Sequence, residues 1–384
     1  MGFWLLIALV LGLWGWHYHR KAVHKPTLVY QTNSFHQQLI AQLPRLSRAY
    51  HPTPWAYNTH LQLVWLVLRQ QCQRHQPPME RELLTMADGG TTALDWLHAP
   101  NASPQSPTLV VLHTIGGSRH SMAGLMQDLQ RHTGWRVVLC LRRGHDTLPF
   151  TAPHFNTLGH VPDLHEQLAH IHARYPHSPL YGIGSSAGSG LLVRYLGETG
   201  EKALLDAGVA YCPAYNTDVA FDRLHPFYDA KITRDLIAEF IAPHKEQFGH
   251  LPEFAHACQA RTLAQLQQYM HALSGYDSPE HYAEHCNPAP VMHRIRVPLL
   301  VINADDDPVC VLQNVLEHEP LIQQMEHTLL VRTQRGSHCA FYEGWRARSW
   351  ANALMAEYLQ AVHHLTAQRI PPNEKCAASD APPA

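Results

Sequence analysis

The segment Gly184-Ser185-Ser186-Ala187-Gly188 constrains this chain more than any other. It follows an apolar run, Pro179 to Ile183, and leads into Leu191-Leu192-Val193-Arg194-Tyr195-Leu196. That order predicts a strand, a tight turn and a helix. The residue at the apex of such a turn is held in a strained conformation. Cβ atoms on the flanking residues would collide with neighbouring backbone, so glycine stands two positions before and two after. The strain pushes the Ser186 hydroxyl out at the carboxyl end of the strand, where it becomes a candidate nucleophile.

Sites built on such a turn take their acid and then their histidine from later in the chain. Val297-Pro298-Leu299-Leu300-Val301-Ile302-Asn303-Ala304 reads as a buried strand and ends in Asp305-Asp306-Asp307-Pro308. A second run, His327-Thr328-Leu329-Leu330-Val331-Arg332, is followed by Gly336-Ser337-His338. Both sets of candidates lie past strand carboxyl ends, where open α/β sheets place their ligands. The chain has 31 histidines, so it is the position of His338 that singles it out. A further strand, Pro107 to His113, runs into Thr114-Ile115-Gly116-Gly117-Ser118. The backbone N–H groups of Ala187 and Ile115 are the expected donors of an oxyanion hole.

With these residues in place the chain resembles the YheT-like branch of α/β-hydrolases, and within it the membrane-anchored abhydrolase-domain lipases. The resemblance covers about Pro26 to His364. It is carried by Tyr50-His51-Pro52-Thr53-Pro54-Trp55, Arg81-Glu82-Leu83, Ala87-Asp88-Gly89-Gly90, Leu94-Asp95-Trp96, Arg143-Gly144, Asp163-Leu164, Tyr175-Pro176, Gly275-Tyr276, Asp306-Asp307 and Gly336-Ser337-His338. It implies a serine esterase or lipase without a cofactor, acting on phospholipid or acylglycerol esters, with Ser186 as nucleophile, Asp306 as acid and His338 as base. Strand alternation agrees on Asp306, since Asp305 and Asp307 should face the other way if the strand persists that far. Two departures stand out. Thr114 occupies the position after His113 where the family usually has glycine, and Ala264-Gln265-Leu266-Gln267 replaces a usually charged stretch.

Alternating strand and helix signals predict an α/β fold, a mostly parallel sheet with helices on both faces. The hydrolase domain is expected over 81–364. An aromatic-rich insertion over 215–290, too long for a plain loop, is expected to be a helical cap. Residues 19–80 form an N-terminal extension whose apolar run, Leu61 to Leu68, is expected to bury against the core. The polar tail, 365–384, is expected to be disordered.

Phe3 to Trp16 carries no charge and is followed by Arg20, Lys21 and Lys25. Residues 1–18 are therefore expected to form a single-pass membrane anchor, with the positive flank placing the hydrolase on the cytosolic side. A net charge of −2 gives no reason to expect nucleic acid as a partner. Eight cysteines without a C-x-x-C pair read as thiols. The histidine pairs lack metal-site spacing, so no metal is expected. A short- or medium-chain carboxylesterase, or an alcohol acyltransferase, would use the same site residues.

Overall fold

The computed structural model describes residues 1–73, 76–152 and 154–369. The strands of its main sheet are β1 (Thr27–Tyr30), β2 (Glu80–Thr85), β3 (Thr91–Leu97), β4 (Thr108–Leu112), β5 (Arg136–Leu141), β6 (Leu180–Ser185), β7 (Ala207–Tyr211), β8 (Leu299–Ala304) and β9 (Thr328–Thr333). They form one nine-stranded sheet in the order β1-β9-β8-β7-β6-β4-β5-β3-β2. Every pair among β4 to β9 is parallel; β1 on β9, β3 on β5 and β2 on β3 are antiparallel.

The helices used below are α1 (Gly2–Ala22), α2 (Thr59–Cys72), α3 (Arg119–Thr133), α4 (Val161–Arg174), α5 (Ala187–Thr199), α6 (Pro226–Leu236), α7 (Pro252–Gln259), α8 (Leu263–Leu273), α9 (Pro279–Cys286), α10 (Leu312–Ile322) and α11 (Trp350–Arg369). The central strands are mostly apolar because both faces are covered. Leu109, Val111, Ile183, Val209 and Leu300 pack with Met126 of α3 and Leu354 and Tyr358 of α11. Their strand neighbours Val110, Leu112, Ala210 and Val301 turn the other way onto Leu168 of α4, Leu192 and Leu196 of α5, and Val315 of α10.

The β2–β3 hairpin turns at Gly89, whose φ of +85° suits glycine. Arg143 fastens that turn to α4. Its Nη1 donates to Asp88 Oδ2 at 2.6 Å, and its Nη2 to Asp163 Oδ1 at 2.6 Å. Three of the family-like motif residues therefore form one ion-pair cluster holding the hairpin in place.

Between β7 and β8 the chain folds into α6 to α9 and shorter helical turns. These build an apolar cluster of their own from Leu236, Phe240, Phe248, Phe254, Leu266 and Met270, joined by Phe155 and Leu158.

The N-terminal region differs from expectation. β1 is an edge strand of the main sheet, paired from Thr27↔Arg332 to Tyr30↔Leu329, so the stretch before residue 81 contributes to that sheet. No helix among the described residues is long and apolar enough to cross a membrane, which corrects the spanning anchor expected over 1–18. The uncharged part of α1, Phe3–Trp16, would cover about 21 Å at 1.5 Å per residue, short of a ~30 Å hydrocarbon core. Tyr18 is also committed elsewhere: it is buried, and its hydroxyl donates to Pro52 O at 2.6 Å. At the other end α11 continues through 365–369, and the rest of the expected tail, 370–384, lies outside the described residues.

Candidate active site

Ser186 stands between β6 and α5 with φ 52° and ψ −118°, a left-handed conformation that a side-chain-bearing residue adopts only under constraint. The constraint is visible. Ser186 N donates to Tyr211 O at 2.8 Å, and Ser186 O accepts from Ser189 N at 2.8 Å. A Cβ on Gly184 would lie 2.3 Å from Gly188 O, and a Cβ on Gly188 would lie 2.3 Å from Leu112 O. Close backbone approach on both sides explains the two glycines.

Ser186 Oγ lies 2.8 Å from His338 Nε2, and His338 Nδ1 lies 2.9 Å from Asp307 Oδ2. The carboxylate paired with His338 is thus Asp307, not Asp306 as expected. Alternation fails because β8 ends at Ala304: Asp305 N still donates to Thr333 O at 2.8 Å, but the chain then turns, with Asp307 N donating to Ala304 O at 3.3 Å. Asp307 Oδ1 accepts from Val309 N at 2.7 Å and Cys310 N at 2.9 Å, which fixes the carboxylate with Oδ2 toward the histidine. The turn carries Asp306 elsewhere, to a contact of 3.3 Å with Arg335 Nη1. Burial, against the partial relief of Arg335, pushes the Asp306 carboxyl up to about 7. Burial works to lower the His338 pKa, but the Asp307 charge outweighs it and holds it well above an ordinary imidazole. With Asp307 accepting at Nδ1, the lone pair of neutral His338 sits on Nε2, facing the serine.

Ile115 and Ala187 line one cavity with Ser186 and His338. Ala187 opens α5, so its N–H has no partner within the helix. The Ile115 loop is pinned from behind by Arg142, which is buried just past β5. Its Nη1 donates to His113 O at 3.1 Å, and its Nη2 to Thr114 O at 2.5 Å. Arg142 N donates to His113 Nε2 at 3.2 Å, leaving His113 Nδ1 to donate to Thr114 O at 2.8 Å. His145 Nε2 lies 3.0 Å from Ile115 O. In a trans peptide the C=O and the following N–H point oppositely, so holding Thr114 O toward Arg142 aims Ile115 N–H the other way. Burial lowers the Arg142 guanidinium to about 9 and, helped by Arg142, the His145 imidazole to about 3. Thr114 fits its glycine-like position because its φ is not positive.

The cavity, about 420 Å³, is walled by Phe221, Leu224, Ile232, Leu236, Phe240 and Leu263 from the insertion. Leu63 and Leu66 of α2 close the opposite wall. The same helix grips the loop that carries His338. Gln62, fully buried, donates from Nε2 to Gly336 O at 2.9 Å and accepts from Tyr342 N at 3.0 Å; Thr59 Oγ1 lies 2.8 Å from Ser337 Oγ. Gln267 in the uncharged stretch bonds to Tyr282, whose hydroxyl lies 2.8 Å from its Oε1. That stretch is thus partly internal scaffolding of the insertion.

Sequence reasoning passed over Asp307 in favour of Asp306 and did not single out Arg142, His145 or Gln62. Pro308 was a usable signal for Asp307, because Asp-Pro starts turns in which the carboxylate caps N–H groups further on. Nothing local to Gln62 marks it, since its partners are over 270 positions away.

Among curated proteins, the phospholipase ABHD3 of Homo sapiens is 26% identical over 375 residues, covering 93% of this chain and 90% of its own. The monoacylglycerol lipase ABHD2 of Mus musculus is 25% identical over 366 residues, covering 88% and 85%. Among solved structures, an esterase of Pyrobaculum calidifontis matches the fold with a TM-score of 0.51 at 18% identity, covering 79% of this chain and 91% of that one. A model of the α/β-hydrolase fold matches residues 107–344. That stretch is well over half of the sequence, and the chain belongs to the α/β-hydrolase fold family.

Proposed function

We propose that this chain hydrolyses carboxylic esters of lipids, with Ser186 as nucleophile, His338 as general base and Asp307 as the group that orients and charge-balances His338. His338 Nε2 takes the Ser186 proton as Oγ attacks the ester carbonyl. The N–H groups of Ala187 and Ile115 receive the developing oxyanion. His338 then returns the proton to the departing alcohol, leaving an acyl-serine. Water, deprotonated by the same Nε2, releases the carboxylic acid. The observation that carries this reading is the Ser186–His338–Asp307 hydrogen-bonded chain opening onto a cavity walled by Phe, Leu and Ile side chains. The relatives named phospholipase and monoacylglycerol lipase support the lipid class.

The protein works at a membrane surface in this proposal, embedded from one side. What supports it is the exposed apolar side chains of two helices. α1 exposes Phe3, Leu5, Leu9 and Leu13, and Trp14 meets Trp345 at 6.2 Å between ring centroids. α2, the cavity wall, exposes Leu61, Val64, Val67 and Leu68 on its outer side. Such a face binds the headgroup and acyl boundary without spanning it.

The test uses the full chain with p-nitrophenyl esters of graded length, phosphatidylcholine vesicles and monoacylglycerol. Each methylene reaching the apolar wall should raise kcat/KM by up to about four-fold, from about 0.8 kcal/mol per CH₂, until the cavity is full. A profile flat from acetyl onward, with neither lipid cleaved, would remove the lipase reading. Deleting residues 2–16, which leaves Tyr18 and Ala22 seated, should abolish flotation with vesicles while sparing soluble-ester turnover.

A further inference from the structure

Three thiols surround His338. Cys212 follows β7, Cys310 lies in the turn after Asp307, and Cys339 is the residue after the histidine. The Cys212 and Cys339 sulfurs and a ring nitrogen of His338 all lie within 4.8 Å of one another. Cys339 N donates to Cys212 Sγ at 3.2 Å. Cys310 Sγ donates to Cys212 O at 3.3 Å and groups with Asp307 and His338, whereas the Cys212 and Cys339 thiols hydrogen-bond each other. Both of the latter hold left-handed backbone, φ 53° and φ 56°, a conformation costly for a residue with a Cβ. Simple packing accounts for a buried cysteine such as Cys140, but it does not account for this pair. Cys212 is fully buried, whereas Cys339 lines the substrate cavity. The Cys339 thiol is also more acidic than usual, because Cys212 hydrogen-bonds to it and, against the effect of burial, His338 lies beside it. An accessible, acidified thiol backed by a second thiol is the arrangement in which peroxide oxidation ends at a disulfide.

We propose that Cys339 and Cys212 form an oxidisable dithiol in the active site, and that a peroxide entering the cavity converts it to a disulfide that halts turnover reversibly. The Cys339 thiolate attacks one peroxide oxygen. The O–O bond breaks, the other oxygen leaves as water after taking a proton, and Cys339 becomes a sulfenic acid. The Cys212 sulfur then attacks the Cys339 sulfur; the S–O bond breaks, an S–S bond forms and a second water leaves. In sum, two thiols and one peroxide give one disulfide and two waters, the sulfurs being oxidised and the peroxide oxygens reduced. Bonding the sulfurs at about 2.05 Å draws residue 339 toward β7 and changes the geometry of the Cys212 sulfur that accepts from Cys339 N–H. His338, one residue earlier, is carried out of line with Ser186.

The effect on turnover rests on the hydrolase reading above; the disulfide itself does not. The full chain is reduced, freed of thiol reagent and titrated with hydrogen peroxide. Cys212–Cys339 cross-linked peptide is read by mass spectrometry, and p-nitrophenyl butyrate hydrolysis is followed in parallel. The linked peptide should accumulate as activity falls at least ten-fold, and dithiothreitol should restore both. Cys212→Ala should yield no linked peptide; fluorophosphonate labelling of Ser186 checks that this variant is folded. Activity lost without the linked peptide, linkage to another cysteine instead, or full activity in linked protein would each overturn the proposal. If untreated protein hydrolyses no ester, the hydrolase reading fails and the linked peptide alone decides whether the dithiol exists.

Discussion

Replacing Asp307 with asparagine tests the site at its least replaceable atom. Asp307 accepts three hydrogen bonds, from His338 Nδ1 on Oδ2 and from Val309 N and Cys310 N on Oδ1. An amide has one acceptor oxygen. If that oxygen keeps the two backbone donors, the amide NH₂ faces His338 and forces Nδ1 to accept. The ring proton then moves to Nε2, which can no longer take the proton of Ser186. If the amide flips, two backbone N–H groups lose their acceptor. In either case the charge that balances the imidazolium is gone. The expected loss in kcat is about 10³–10⁴-fold, or about 4–5.5 kcal/mol at 1.36 kcal/mol per factor of ten. The comparison is Asp306→Asn. Asp306 has no contact with the histidine, and burial has already brought its carboxyl close to half-protonated near pH 7, so an amide resembles one of its own states. That variant should keep kcat/KM for p-nitrophenyl butyrate within about three-fold of the unaltered chain. Equal losses in the two variants, or a larger one at Asp306, would refute the assignment.

Ser186→Ala should abolish fluorophosphonate labelling and reduce turnover by about 10³-fold or more at unchanged Tm; retained labelling would point to another nucleophile. Arg142→Met should free the carbonyls of His113 and Thr114 and lower kcat by about 10²-fold with little change in KM, the mark of a loop that matters chiefly in the transition state. A rise in KM alone would instead make Arg142 part of ground-state binding. Turnover needs neutral His338, and its raised pKa means that kcat/KM falls, as pH drops, at a higher pH than the ordinary ~6.5 of imidazole. In Asp307→Asn the raising charge is lost and burial remains, so that limb should move to lower pH; a limb that does not move would contradict the pairing.

How much of this could be read beforehand follows from how local each cause is. The elbow was legible because Gly184 and Gly188 are required by contacts within a few ångströms of Ser186, and the sequence records those contacts as missing side chains. The central strands were legible because burial on both faces demands unbroken apolar runs. Alternation points to Asp306 rather than to Asp307, the residue paired with His338, because it holds only while the strand lasts, and β8 ends at Ala304. The anchor was over-read because hydropathy does not show that Tyr18 finds a partner in Pro52. Arg142 and Gln62 escaped notice because their meaning lies in backbone groups that folding brings from far along the chain.

The double duty of α2 bears on how this protein can be cut, fused or engineered. The residues before β2 look dispensable, since Ser186, Asp307 and His338 all lie after residue 180. Yet a chain begun at residue 80 would lack the edge strand beside β9, one wall of the substrate chamber, and the Gln62 side chain that ties Gly336 to Tyr342. Such a fragment would retain every reacting atom and still misplace the base. The same helix thus both lines the cavity, through Leu63 and Leu66, and holds the loop that carries His338, so a ligand that displaced those leucines would load the helix at the point where it grips that loop.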